Sequence, residues 1–215
     1  MSIIFSLDIP FDDKSAKLIN SIKPFISVLK INHLHLSQEL VSQIGKKLPF
    51  LPIFLDVKLY DIPNTTKLAI QNYEKNIPNL KYITIHGNVD KDIIETALSS
   101  TKNINIISVI QLTSTNISHN KFLAIAKYNY DLGIRNFIVP APMIQTMKKN
   151  FASITIFTPG IRDSNYLTSD DQKTVGTPAL AKKYGANFII VGRPIYKAND
   201  PILATKKIYQ DFHES

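Results

Sequence analysis

The chain has 215 residues, 44% of them hydrophobic and 20% charged, a balance that fits one well-buried domain and argues against disordered or fibrous architectures. It has no cysteine, which removes disulfides, thiolate nucleophiles and cysteine-ligated metals, and no apolar run nears the roughly 18 to 20 residues of a membrane span. The net charge of +8 raises nucleic acid as a partner, but the lysines fall in scattered pairs (Lys46-Lys47, Lys148-Lys149, Lys182-Lys183, Lys206-Lys207) near the ends of candidate helices, so solvated cations that complement the helix dipoles are the better reading; a field of this sign would also steer a phosphorylated small molecule, and charge alone does not separate these options.

Taken in chain order, the first strand is IIFSLDI from Ile3, and its Asp8 arrives before a signal-peptide core can develop, so the chain is expected to be cytoplasmic. The second, ISVLKIN from Ile26, carries Lys30 in an aliphatic setting. A helical spacing follows at Leu40, Val41, Ile44 and Leu48, then a third strand, IFLDVKL from Ile53, with two charges. Further strands follow as YITIHG from Tyr82, INIISVIQL from Ile104, FIVP from Phe137, SITIFTPG from Ser153 and FIIVGRPI from Phe188. Helical spacing resumes at Ile202, Leu203, Lys206, Ile208 and Phe212. About eight strand-helix units in little over 200 residues predict a single (β/α)8 TIM barrel spanning residues 1–215, with an open doubly wound sheet as the alternative.

The chemistry concentrates on the charged strands. Asp56 and Lys58 are two apart and share a strand face. A buried ion pair loses hydration that its mutual attraction often fails to offset, so function explains the pair better than stability does. If the first three strands are neighbours, Asp8, Lys30, Asp56 and Lys58 converge at the C-terminal mouth as a network of alternating sign, each charge favouring its neighbour's ionised state. Asp61 has the opposite parity and need not aim at the same spot. Gly160 with Arg162 and Gly192 with Arg193 close the seventh and eighth strands, where barrels frequently hold phosphate. The stretch between them, Asp163 to Thr177 with Gln172, is long enough for a lid. His33 and His35 lack companions at metal-ligand spacing, so no metal is expected there, and Pro140 and Pro142 have no functional reading.

These residues resemble the orotidine 5′-phosphate decarboxylase family. Its Asp-x-Lys-x-x-Asp run followed by Ile-Pro-Asn-Thr stands here as Asp56, Lys58, Asp61, Ile62, Pro63, Asn64 and Thr65. LDIP with Asp8, VLKIN with Lys30, IQLTS from Ile110, TPGIR from Thr158, DDQKTV from Asp170 and VGRPI from Val191 follow the family order. The resemblance implies decarboxylation of orotidine 5′-phosphate to UMP without metal or cofactor, with Lys58 as proton donor to C6 and Lys30 and Asp56 in its charged chain. It also implies a homodimer in which Asp61 completes the partner's site. Asp8 would bind ribose, Thr113 the pyrimidine, and Gly192 with Arg193 the phosphate, with Gln172 bridging from the lid, Arg162 nearby and Thr65 among the substrate contacts. A metal-dependent sugar-phosphate enzyme on a related barrel is the competing reading, which the second aspartate and the DIPNT string disfavour. A nucleic-acid or nucleotide binding module is the other, and it has no use for Lys58 buried beside Asp56.

Overall fold

Eight parallel strands close on themselves, each strand pairing with the next and the first with the last. The computed structural model describes residues 2–77, 79–112, 117–162 and 176–214. The strands are β1 Ser2–Ser6, β2 Val28–Ile31, β3 Ile53–Leu59, β4 Leu80–His86, β5 Asn105–Val109, β6 Asn136–Ile138, β7 Thr155–Thr158 and β8 Phe188–Val191. The helices are α1 Asp13–Ile22, α2 Gln38–Lys47, α3 Pro63–Asn76, α4 Lys91–Ser99, α5 His119–Asp131, α6 Ile144–Asn150, α7 Pro178–Tyr184, α8 Arg193–Tyr196 and α9 Pro201–His213. All eight expected strands are present, in a closed barrel rather than an open sheet.

Local chemistry starts and stops the helices. Asp12 and Ser15 form a reciprocal capping box at α1, and Ser118, Thr177 and Asp200 accept backbone N–H bonds at the starts of α5, α7 and α9. Gly185 ends α7 at φ 95°, a left-handed cap that glycine adopts without steric cost. Three lysine pairs lie in the last turns of α2, α6 and α7 as expected. Lys206-Lys207 instead lie in the middle of α9, because that helix runs on to His213. The phase of α9 also differs from the sequence reading: Thr205, Ile208 and Phe212 are buried, while Ile202 and Leu203 face outward.

Two hydrophobic layers result. The larger lies between strands and helices, and the smaller fills the barrel with Ile4, Val28, Phe54, Val109, Ile138 and Ile190 among others. Phe157 stacks on Phe188 at 4.7 Å and meets Phe54 and Tyr82 edge-on, which makes an aromatic floor. Inward positions alternate along each strand, so Phe54 at the floor is followed upward by Asp56 and Lys58, and Tyr82 by Thr84. The barrel is therefore apolar below and polar at its C-terminal mouth.

Candidate active site

At that mouth lies a cavity of about 290 Å³, lined among others by Asp8, Lys30, Asp56 and Lys58 and by Gly160, Arg162, Gly192 and Arg193. The residues expected from the charged strands and those expected from the glycine-arginine turns thus share one space.

Asp56 sits between two ammoniums. Lys30 Nζ reaches its Oδ2 at 2.9 Å and Lys58 Nζ its Oδ1 at 2.8 Å. Lys30 also lies 3.7 Å from Asp8 Oδ1, which extends the alternation to four charges. Burial by itself would pull the Lys30 pKa down, but the carboxylates of Asp56 and Asp8 prevail and hold it above the ordinary lysine value. Burial likewise works to raise the Asp56 pKa, and the Lys30 and Lys58 ammoniums with their hydrogen bonds reverse this, keeping it well below the usual carboxylate range. The pair is therefore charged at neutral pH.

Asp8 does not belong to the first strand as expected. It lies two residues past the end of β1, and its side chain is 40% exposed. It still converges on the network because neighbours hold it: Ser6 Oγ donates to its carboxylate at 2.9 and 3.0 Å, and Asn32 Nδ2 donates to Oδ1 at 2.9 Å. Asn32 is set in turn by a short 3-10 turn, His33–His35, whose Leu34 N–H it caps. His35 is fully buried with Nε2 against the Ile9 carbonyl at 3.0 Å, and burial pushes its pKa down, so this histidine is a structural brace. Among the described residues no three His, Cys, Asp or Glu side chains gather around one point as ligands to an ion.

Gly192 follows β8, the strand paired with β1, and leaves room for Asp8. A Cβ there would stand 3.0 Å from Asp8 Oδ2 and 3.1 Å from the Ser6 carbonyl oxygen. Gly160 follows β7 at φ 72°, and Arg162 is buried with Nη1 donating to the Ile161 carbonyl at 2.8 Å. The base of the expected lid is pinned: Arg162 N–H donates to Gly176 O at 2.9 Å and Gly176 N–H to Gly160 O at 3.1 Å. Gly176 and Thr177 thus belong to the barrel scaffold rather than to the lid, and residues 163–175, with Gln172, lie outside the described residues, as does Thr113. Pro140 and Pro142 frame a 3-10 turn, Ala141–Met143, that abuts this base; a Cβ on Gly176 would fall 2.5 Å from that of Ala141.

Asp61 and Thr65 line no part of this cavity. Both are exposed, and Asp61 accepts a hydrogen bond from the Ile62 N–H at 2.7 Å. Asp61 opens instead onto an outer hollow with Tyr60 and Ile62, which are 69% and 64% exposed. Three polar partners escaped the sequence reading: Ser6, Asn32 and Thr84, the last donating to Asp56 Oδ1 at 3.1 Å. Their one signal in the sequence is strand parity, since Ser6 and Asp8, Lys30 and Asn32, and Thr84 and Tyr82 are each two apart.

The family model for orotidine 5′-phosphate decarboxylase/HUMPS proteins matches residues 1–208. The chain belongs to this family. Orotidine 5′-phosphate decarboxylases of Nitratiruptor sp. and Buchnera aphidicola are 31% and 34% identical to it, over 97% and 94% of this chain and 98% and 92% of theirs. The crystal structure of orotidine 5′-phosphate decarboxylase from Pyrococcus horikoshii superposes with a TM-score of 0.81 at 25% identity, covering 98% of each chain. Family membership and the closed barrel agree, and the charged network occupies the end of the barrel where such folds place chemistry.

Proposed function

We propose that the chain decarboxylates orotidine 5′-phosphate to UMP, the step that completes pyrimidine nucleotide synthesis, without metal or organic cofactor. The observation that carries this reading is the Lys30–Asp56–Lys58 array in a cavity that Gly192 and Arg193 also line. Breaking the bond from C6 to the carboxylate releases CO2 and leaves the electron pair on C6, with no adjacent electron sink. A preorganised ammonium is the simplest group that can both stabilise that charge and quench it. Lys58 Nζ gives a proton to C6, forming UMP, and the neutral amine recovers a proton from water. Asp56 holds the Lys58 ammonium in place, keeps Lys30 charged and stands beside the departing carboxylate, while Lys30 holds Asp56 ionised. Asp8 binds the ribose, and Gly192 and Arg193 bind the phosphate, whose remote binding energy orders the substrate for the reaction. Thr113, Gln172 and Arg162 complete the substrate contacts.

The functional unit is a homodimer in which Asp61 and Thr65 of each subunit reach the other's cavity. Support comes from the exposure of Asp61 together with the apolar Tyr60 and Ile62 beside it, a surface that suits burial against a second copy. The setting is a cytoplasmic enzyme; no described helix is long and apolar enough to cross a membrane.

The deciding experiment follows the absorbance of orotidine 5′-phosphate on addition of EDTA-treated protein. Conversion to UMP at an undiminished rate is expected. Absence of turnover in folded, dimeric protein would overturn the reading and direct attention to sugar phosphates with magnesium.

A further inference from the structure

We infer that Thr84 is a positioning residue for the Lys58 ammonium, acting through the Lys58 backbone and the Asp56 carboxylate; this rests on the decarboxylase reading above. Pairing of β3 with β4 skips at this point. Leu55 pairs with Ile83 and Leu59 with Ile85, so β3 advances four residues while β4 advances two. The excess is taken up in a bulge that contains Asp56 and Lys58. Lys58 sits there at φ 48°, and Ser153 is the one other non-glycine among the described residues at positive φ. A lysine held in the left-handed region needs surroundings that over-determine it, and such residues cluster at functional sites.

Thr84 lies opposite the bulge, fully buried. Its hydroxyl accepts the Lys58 backbone N–H at 2.8 Å and donates to Asp56 Oδ1 at 3.1 Å. The same Oδ1 accepts from Lys58 Nζ at 2.8 Å. Backbone amide, hydroxyl, carboxylate and ammonium therefore form one closed ring that sets both the origin of the lysine side chain and the place where its end rests. A hydroxyl can do this because it donates and accepts at once, which a valine of the same shape cannot. Valine would leave the Lys58 N–H without its partner and remove one of the two hydrogen bonds that hold Asp56 Oδ1, and small displacements of a reacting group are costly in rate. Asp8 and Gly192, proposed to bind the nucleotide, are set by Ser6 and Asn32 rather than by Thr84, so binding is spared.

A packing role and a positioning role make opposite predictions for two variants. Serine keeps the hydroxyl and leaves a methyl-sized gap, whereas valine fills the space and deletes the hydroxyl. For positioning, Thr84→Val lowers kcat by about 10- to 100-fold with KM and UMP affinity within about threefold of wild type, and Thr84→Ser keeps kcat within about threefold. Wild-type kcat in Thr84→Val, or an equal fall in Thr84→Ser, would overturn the assignment. Exchange of the Lys58 amide proton, followed by NMR in the same proteins, needs no turnover: about tenfold faster exchange in Thr84→Val alone is expected, and equal exchange in all three overturns the tie. If wild-type protein does not decarboxylate the nucleotide, the functional reading fails and the amide exchange alone decides Thr84. Should the valine variant not fold, Thr84→Ala takes its place in both measurements, with the same outcomes.

Discussion

Replacing Asp56 by asparagine keeps the shape of the side chain and removes the charge that two ammoniums share. The Lys58 contact is partly open to water, with that lysine's side chain 35% exposed, and a pair of this kind contributes at most about 1 kcal/mol. Lys30 decides the magnitude. Its side chain is 10% exposed, and after the substitution its nearest carboxylate is Asp8 at 3.7 Å. Removing one partner of a buried pair costs about 3 to 5 kcal/mol, and the retained Asp8 places the expected loss near 3 kcal/mol at neutral pH. The pH dependence provides the sharper test. In the wild type the lowered Asp56 pKa contributes stability above the unfolded carboxylate value of about 3.9, lost as pH falls through the folded value. The raised Lys30 pKa contributes stability below the unfolded lysine value of about 10.4, lost as pH rises through the folded value. Between about pH 5 and 9 both contributions are present and flat. In the variant burial prevails at Lys30, its folded pKa falls below the unfolded value, and stability rises with pH in that interval. Urea denaturation of both proteins between about pH 7 and 10 should show the deficit shrinking as pH increases. A deficit that stays constant across that range would refute the account of Lys30 as a buried cation dependent on Asp56.

Three further predictions test the proposed active site. Lys58→Ala should lower turnover by at least about 10² to 10⁴-fold, the usual share of a positioned proton donor, while calorimetry shows UMP binding little changed. Mixing that variant with an inactive Asp61→Asn protein should restore about a quarter of wild-type activity, because half the dimers formed at random are mixed and each carries one intact site; no recovery in proven heterodimers would count against sharing across the interface. Gly192→Ala should raise KM for the nucleotide more than it lowers kcat, since the new methyl would press on Asp8 Oδ2 and on the Ser6 backbone, and a steady-state KM within twofold of wild type would contradict that geometry.

Much of the site was legible because its signals are local. Asp8, Lys30, Asp56 and Lys58 stand out as charges on apolar segments, and Gly160 and Gly192 mark the ends of the last two strands. Those features survive into the cavity, although Asp8 arrives there from beyond β1. Thr84 gave no comparable signal. A threonine in a β-rich segment is ordinary, and its importance comes from standing opposite a bulge that local propensity does not encode. Ser6 and Asn32 are equally ordinary until Asp8 needs donors. The face of α9 was misjudged for a related reason. Ile202 and Leu203 fit a helical repeat, but which side of the helix is covered depends on how it lies against its neighbours.

By itself, then, the sequence determined the alternation of strands and helices, the preference for a (β/α)8 barrel over an open sheet and the charged residues that make an apolar strand chemically useful. These depend on periodicity and composition, which act over a few residues. The tertiary structure alone decided that β3 bulges against β4, that Lys58 takes a left-handed backbone angle there, and that Asp61 opens with Tyr60 and Ile62 onto an outer hollow. Those outcomes depend on pairing between residues far apart in the chain, because register and curvature are settled only when all eight strands must close on one another.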